Sequence, residues 1–427
     1  MPNPTDQPDP THIEIVADVL IAGGGLAGMT MALAVAHAGL RAVVVERQAS
    51  SVLKSSTFDG RTSAISYGSA RIFEGIGVWP AMVDVAEPIL DIRVADGNLS
   101  EGVSPLFLHY DHRELLPDAV ITPDAPFGYI LENRAIRTAL ADAAEQSSGV
   151  ELLAPAVLSS VERTPFGVLG ELVDGRRVKA ALAIGADGRN SAQRQSAGIA
   201  VTDFRYPQTS IVCTVAHEQP HNGVAVELFL PGGPFAMLPL PGQRTNIVWS
   251  EKTELVDSIM ALDDAAFLEE VSRRFGDWLG ELTLAGPRFA YPLGLLHAER
   301  YTDRRLALIG DAAHAIHPIA GQGFNMGLRD IAALAEAVVD AHRLGLDIGD
   351  AAVLARYERW RRFDNTLLAT VTDGLTRLFS NDVAPVRLAR DIGLAGVGKI
   401  LPLKQLFMRH AMGVVGTLPR LVKGDPL

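Results

Sequence analysis

Cysteine is almost missing from this sequence: Cys213 stands alone among 427 residues. That excludes an internal disulfide and a cysteine-built metal cage, and it fits a reducing compartment, so a cytoplasmic protein is expected. Positive charge is also scarce. With 38 Lys and Arg against 50 Asp and Glu, the formal net charge is −12. A nucleic acid is therefore not an expected partner, because capture of a phosphate backbone needs clustered cations. No internal repeat or low-complexity tract occurs. The first residues, MPNPTDQPDPTHIEI, lack the basic start and apolar core of a secretion signal and read as a flexible lead-in. From Val19 to Leu40 there is no Asp, Glu, Lys or Arg. That run is long enough to suggest a membrane span, but the glycines within it argue against one.

What is present describes a globular chain: 48% hydrophobic, 21% charged, with 40 Gly and 25 Pro for turns. The length predicts two or three compact units. Residues 17–47 read ADVLIAGGGLAGMTMALAVAHAGLRAVVVER, which predicts strand, glycine turn, helix and second strand in order. Gly23, Gly25 and Gly28 form GxGxxG. The first permits a tight turn, the second lets backbone approach a pyrophosphate, and the third lets helix pack closely on strand. The helix opening at Leu26 and Ala27 offers free amides and about half a positive charge to phosphates. Glu46, with Arg47 beside it, ends the second strand where a carboxylate can take ribose hydroxyls. This cradle alone does not separate FAD from NAD.

Two later stretches add to it. ALAIGADGRNSAQR (181–194) is an apolar strand followed by Asp187-Gly188, Ser191 and Arg194. Read alone it is equally a decorated β-turn. GDAAHAIHPIAGQGFNMGLRD (310–330) follows another apolar run. Gly310 and Asp311 fall at a strand's carboxyl end, where open α/β sheets bind ligands, and a helix starts after the glycines. Asp311, His314 and His317 might be thought a metal triad, but at i, i+3 and i+6 a helix rotates the last away from the first. No metal is expected, and the two histidines are read as packing residues.

The three signals, GxGxxG, then GADGxxSxxR, then GDAAHxxxPxxGQGxNxGxxD, together resemble the single-component FAD-dependent aromatic hydroxylases. The form HPIAGQGFNMGLRD narrows the resemblance to the 2-polyprenylphenol hydroxylases of ubiquinone biosynthesis. Further stretches share it: 59–79, 128–140, 220–240, 357–365 and 372–382. The resemblance implies an α/β fold with a discontinuous Rossmann-like FAD-binding domain, as in p-hydroxybenzoate hydroxylase, an inserted β-sheet substrate domain and C-terminal helices. It implies Asp187 and Gly188 near the pyrophosphate, Asp311 on the ribityl chain, and Arg61 and Arg134 against FAD. It further implies NAD(P)H as transient reductant, O₂ as co-substrate, a flavin C4a-hydroperoxide as oxidant and a lipophilic prenylated phenol as substrate.

If FAD is bound, its ring must lie flat against small or rigid residues. Pro318 offers an apolar surface without an N–H, Gly321 and Gly323 permit close backbone approach, and the helix start over Gln322, Gly323, Phe324 and Asn325 offers amides to reduced flavin. Those six are the expected catalytic loop, and Pro318, Gly323, Phe324 and Asn325 also count as cofactor-binding. In the run PGGPFAMLPL, Gly233, Pro234 and Phe235 are expected on the substrate side.

The motif positions predict FAD-binding pieces at 1–82, 127–199 and 295–345, substrate-domain pieces at 83–126 and 200–294, and a helical region at 346–427. The inserts are expected to pair into one antiparallel sheet. The arginines of ERWRR (358–362) read as a solvated helix face. The apolar tail, 394–421, reads as core packing or homo-oligomer contact, with an interfacial helix as the alternative. A lipophilic substrate adds two expectations: peripheral association with the membrane's inner face and membership of a ubiquinone biosynthetic complex. Two rivals share the scaffold. A flavin halogenase would carry WxWxIP, which is absent; a prenyl-chain reductase has no such signature to exclude it. A non-catalytic FAD- or lipid-binding subunit is the rival from another class.

Overall fold

Strands that are apolar along their whole length must be covered on both faces, and four such runs build a parallel sheet. They are β1 (Val19–Ala22), β2 (Ala42–Val45), β7 (Leu182–Gly185) and β13 (Leu306–Leu308), every residue buried. With β6 (Val150–Leu153) the order is β6-β2-β1-β7-β13, all parallel, closed by a short antiparallel edge at Thr302–Asp303. The computed structural model describes residues 14–99, 102–105, 107–317, 321–379, 396 and 400–427. Helix α1 (Leu26–His37) packs against α2 (Asn133–Gln146) and α5 (Gln322–Arg343). The charge-free run from Val19 to Leu40 is thus a strand and a helix inside the core. Among the described residues no helix is long and apolar enough to cross a membrane.

A second sheet carries the inserts. Its main strands are β4 (Asp91–Asn98), β8 (Val201–His217), β9 (Val224–Leu230), β10 (Gly233–Leu240), β11 (Arg244–Lys252), β12 (Phe289–Ala298) and β14 (His314–Ala315). Their order is β14-β12-β8-β11-β10-β9-β4. The expectation of one antiparallel sheet needs correcting at the seam between the inserts, where β4 and β9 run parallel, Asp91 opposite Val224. Partners more than a hundred residues apart are not joined by a hairpin, so no turn enforces the antiparallel sense.

Side chains alternate across this sheet. Odd positions such as Cys213, Phe235, Met237 and Trp249 point into an outer core beneath α3 (Thr253–Met260) and α4 (Asp264–Phe275). Leu238 and Leu240 point to the other face, where they meet Tyr67, Met408 and Met412. Beyond α5 the chain forms α6 (Ala351–Phe379) and α7 (Leu401–Ala411). In the described part of the tail Met408, Met412, Leu421 and Val422 are fully buried, whereas Ile400, Leu401, Leu406 and Phe407 are exposed.

Candidate active site

The three glycine motifs meet at the carboxyl end of the parallel sheet. Gly23 has φ +101, and a Cβ there would fall 2.5 Å from the Ala186 carbonyl oxygen, beside Asp187. A Cβ on Gly28 would lie 1.9 Å from Gly23 O. Those two glycines are demanded by chain crossing chain. Gly25 differs: its φ is an ordinary −71, and an added Cβ would meet nothing within 4 Å. Its bareness leaves the backbone open to an approaching ligand. It also caps α1 without a side-chain hydrogen bond, so the first-turn amides at Leu26 and Ala27 have no partner within the helix.

Glu46 is held to this loop. Its carboxylate accepts from the Gly24 amide (2.7 Å) and the Gln48 amide (2.8 Å). An ionised carboxylate keeps about two further lone-pair sites for ribose hydroxyls. Arg47 beside it is exposed.

The second motif touches both others. The Ala186 amide donates to Ala22 O (2.8 Å), and Asp187 Oδ2 accepts from the Gln193 amide (3.1 Å). Asp187 Oδ1 is buried with no hydrogen-bond partner. Gly188, at φ +81, borders open space. Arg194 is buried and donates to Ala312 O and Arg189 O, both at 2.8 Å. This guanidinium staples motif two to motif three; sequence reading named it without giving it a role.

In the third motif, Gly310 (φ +56) faces Ala27, a Cβ there lying 3.4 Å from Ala27 Cβ. Gly310, Ala312 and Ala313 are buried, whereas the Asp311 side chain is exposed. Asp311 is nevertheless closely ringed by protein. Desolvation raises its pKa, against the opposing pull of His314, Arg189 and Arg61. A carboxylate held in this way gains from a ligand that offers it hydroxyl donors. Pro318 lies outside the described residues. Gly321 starts α5 in the left-handed region (φ +61), with a Cβ 2.8 Å from Ala64 Cβ, while Gly323 has open space around it.

The other members of the loop face inward. Gln322 is half-buried, and the Phe324 ring meets Phe73 at 6.4 Å. The Asn325 side chain is fully engaged with β3 (Thr62–Ser66): Oδ1 accepts from the Ser66 amide (2.9 Å) and Nδ2 donates to Ala64 O (2.7 Å). What stays open here is the backbone at Gly323.

One expected contact resolves differently. Phe235 does not face the parallel-sheet domain; it lies in the outer core, 6.3 Å from the Trp249 ring. Strand alternation decides this, leaving Pro234 on the inner face with Ala236 and Leu238. Gly233 (φ +145) sits against Ser250 and Gln208. Arg61 pairs with Asp59 at 2.7 Å and is half exposed, and Arg134 pairs with Glu132 at 2.6 Å. Both guanidiniums flank the loop that Asn246 ties to the second sheet. The buried Asn246 donates to Gly60 O (3.3 Å) and accepts from Thr62 Oγ1 (2.9 Å).

The reading of ERWRR is corrected in part. Arg359 and Arg362 are exposed, but Arg361 is buried and its Nε donates to Asp330 Oδ1 (3.0 Å). Asp330 also accepts from Asn365 Nδ2 (2.9 Å), the Gly310 amide (3.3 Å) and His314 Nε2 (2.5 Å). Burial opposes its ionisation, but His314 and Arg361 outweigh that and hold its pKa at about 2. His314 thus turns to Asp330, while His317 stacks edge-on to Tyr206 at 5.2 Å, so Asp311, His314 and His317 do not converge. This hub was invisible in sequence because Asp330 and Arg361 lie on different helices.

Amides free at a helix start, one bare glycine and a ringed carboxylate at the end of a parallel sheet fit the phosphates and polyol of a flavin dinucleotide. They define a flavoprotein whose two largest sheets are the parallel sheet and the insert sheet. The chain belongs to the FAD binding domain family, which it matches over residues 16–363. It is 50% identical over 415 residues to the ubiquinone hydroxylase UbiL of Rhodospirillum rubrum, covering 96% of this chain and 94% of that one. It is 33% identical to the 3-demethoxyubiquinol 3-hydroxylase of Escherichia coli, covering 93% and 98%. The human ubiquinone biosynthesis monooxygenase COQ6 is 32% identical, covering 93% of each. Among solved structures, p-nitrophenol 4-monooxygenase from Pseudomonas putida matches with a TM-score of 0.76 at 18% identity, covering 95% of this chain and 100% of that one. The fold is therefore that of the flavin-dependent monooxygenases.

Proposed function

We propose that this protein hydroxylates the ring of a polyprenylated phenol in ubiquinone biosynthesis, using FAD, NAD(P)H and O₂. The observation that carries the reading is the convergence of Gly25, Asp187 and Asp311 beside a glycine-flanked helix start. Similarity to ubiquinone hydroxylases extends over the second sheet as well as the cofactor loops, which supports the substrate class.

When bound, FAD supplies the activation of dioxygen for transfer to an electron-rich ring. The chain's own residues do the rest. Amides at Leu26 and Ala27 would hold the pyrophosphate, Glu46 the ribose and Asp311 the ribityl hydroxyls. The backbone from Gly321 to Gly323 would offer the ring close approach, and the α5 terminus would stabilise negative charge on it. The inner face of the second sheet, at Ala236 and Leu238, gives an apolar wall that excludes water and orients the substrate. With only one GxGxxG, NAD(P)H is read as a visitor to the flavin. A greasy substrate goes with peripheral attachment to the membrane's inner face, alone or within a biosynthetic complex.

The test is NAD(P)H oxidation by FAD-loaded protein with and without prenylated phenol, with products identified by mass spectrometry. A ring-hydroxylated product is expected. A saturated prenyl chain would make it a reductase, and no stimulated oxidation would make it a non-catalytic subunit. Quinone profiling of cells lacking the protein would give the ring position.

A further inference from the structure

The outer face of α6 carries a pattern that the chemistry above does not use. Its inner face is anchored by Leu354, Tyr357, Arg361, Asn365 and Ala369, all buried. On the opposite side Phe363, Leu367 and Val371 follow one another at i+4, about 6 Å apart along the axis, and are 72%, 49% and 46% exposed. The hydroxyls between them are already bonded: Thr366 Oγ1 donates to Arg362 O (2.7 Å) and Thr370 Oγ1 to Thr366 O (2.8 Å). They therefore enter an apolar medium at little cost. The acids on this helix are also engaged. Glu358 accepts from the Tyr301 amide and Thr302, Asp364 pairs with Arg361, and Asp373 accepts from Tyr206.

Next to this stripe, Arg359 and Arg362 are exposed and make no ion pair among the described residues. They line an open groove with Phe363, Thr366, Glu358 and Ala355. A stripe of apolar side chains with self-bonded threonines and two free guanidiniums at one end has the anatomy of a helix lying in a membrane interface. The same face of a second copy is a poorer occupant, since it would set arginines against arginines while the acids of α6 are engaged.

We infer that the outer face of α6 docks on an anionic phospholipid bilayer, with Phe363, Leu367 and Val371 among the acyl chains and Arg359 and Arg362 at lipid phosphates. The inference rests on the hydroxylase reading only for its purpose, which is to bring the site to a membrane-dissolved substrate.

The test floats FAD-loaded full chain with vesicles of phosphatidylcholine alone or with about a third phosphatidylglycerol. Flotation is expected with the anionic vesicles and should weaken with salt. The double variant Phe363→Ser/Leu367→Ser should bind at least about ten-fold less, and Arg359→Gln/Arg362→Gln should erase the preference for anionic lipid. Retained flavin absorbance reports folding. Should the serine variant lose its flavin, Leu367→Cys with a polarity-sensitive dye replaces it, because Cys213, the one native thiol, is buried. A blue shift on anionic vesicles supports docking, and an unchanged spectrum overturns it. Binding unaffected by either double variant overturns it too, as does a wild-type dimer that the serine variant converts to monomer. Docking without hydroxylation would sink only the proposed activity; hydroxylation in detergent without docking would sink only this surface.

Discussion

Replacing Asp330 with Asn tests whether a single carboxylate organises the flavin loop. Asp330 is 0% exposed, Arg361 2% and His314 1%, and the carboxylate receives four donors from two parts of the chain: Gly310 and His314, then Arg361 and Asn365. An amide of the same shape keeps one acceptor oxygen and points an N–H₂ at donors that had an oxygen. It also removes the charge that balances Arg361. Breaking one side of a buried pair costs about 3–5 kcal/mol, against a typical total stability of about 5–15 kcal/mol. With an unfolding entropy of about 2.1 cal/mol/K per residue, a chain of 427 residues shifts by roughly 1 °C per kcal/mol, so the thermal midpoint should fall by about 3–6 °C. The assay is urea denaturation of Asp330→Asn beside wild type. Because Gly310 is one of the four donors, FAD affinity should fall as well. A double variant, Asp330→Leu/Arg361→Met, removes both charges and should recover most of the loss, since a buried apolar pair is tolerated where a lone buried charge is not. A cost for Asp330→Asn under about 1 kcal/mol, or strictly additive effects in the double variant, would refute the hub.

Other outcomes follow from the site geometry. Gly28→Ala places a methyl 1.9 Å from Gly23 O and should fail to fold or to hold FAD, as read by expression and flavin absorbance. The Cβ of Gly25→Val meets no protein atom within 4 Å, so circular dichroism should be unchanged while FAD affinity falls at least about a hundred-fold through lost phosphate hydrogen bonds. Asp311→Asn should stabilise the apoprotein in a thermal melt, because the desolvated carboxylate is disfavoured when ionised, yet weaken FAD retention about ten-fold or more. His317 is buried, and desolvation lowers its pKa from 6.5 to about 4. The unfolded chain therefore binds this proton first. The stability it confers is complete above about pH 6.5 and is lost as pH falls towards 4, a slope that His317→Phe should flatten in denaturation measured across pH. Asp330 adds a second acid limb, lost only as pH drops from about 4 towards 2.

The cofactor loops were legible because their chemistry is local. A glycine that must let chain cross chain, a strand apolar on both faces and a helix start stripped of caps each leave their mark within about thirty residues. Gly23 and Gly28 stand where chain crosses chain, and Gly25 borders open space. The chain by itself therefore determined the cofactor class. Only the tertiary structure decided which residues serve one another across long separations. Period-two alternation says that Phe235 and Pro234 face opposite ways, but not which way is inward. A helical arginine run shows one periodicity whether or not a carboxylate waits beneath it, so Arg361 looked no different from Arg359. The parallel seam between β4 and β9, the Arg194 staple and the Asp330 hub have the same origin: charge pairing and strand sense are set by neighbours in space, and those neighbours exist only once the core has closed.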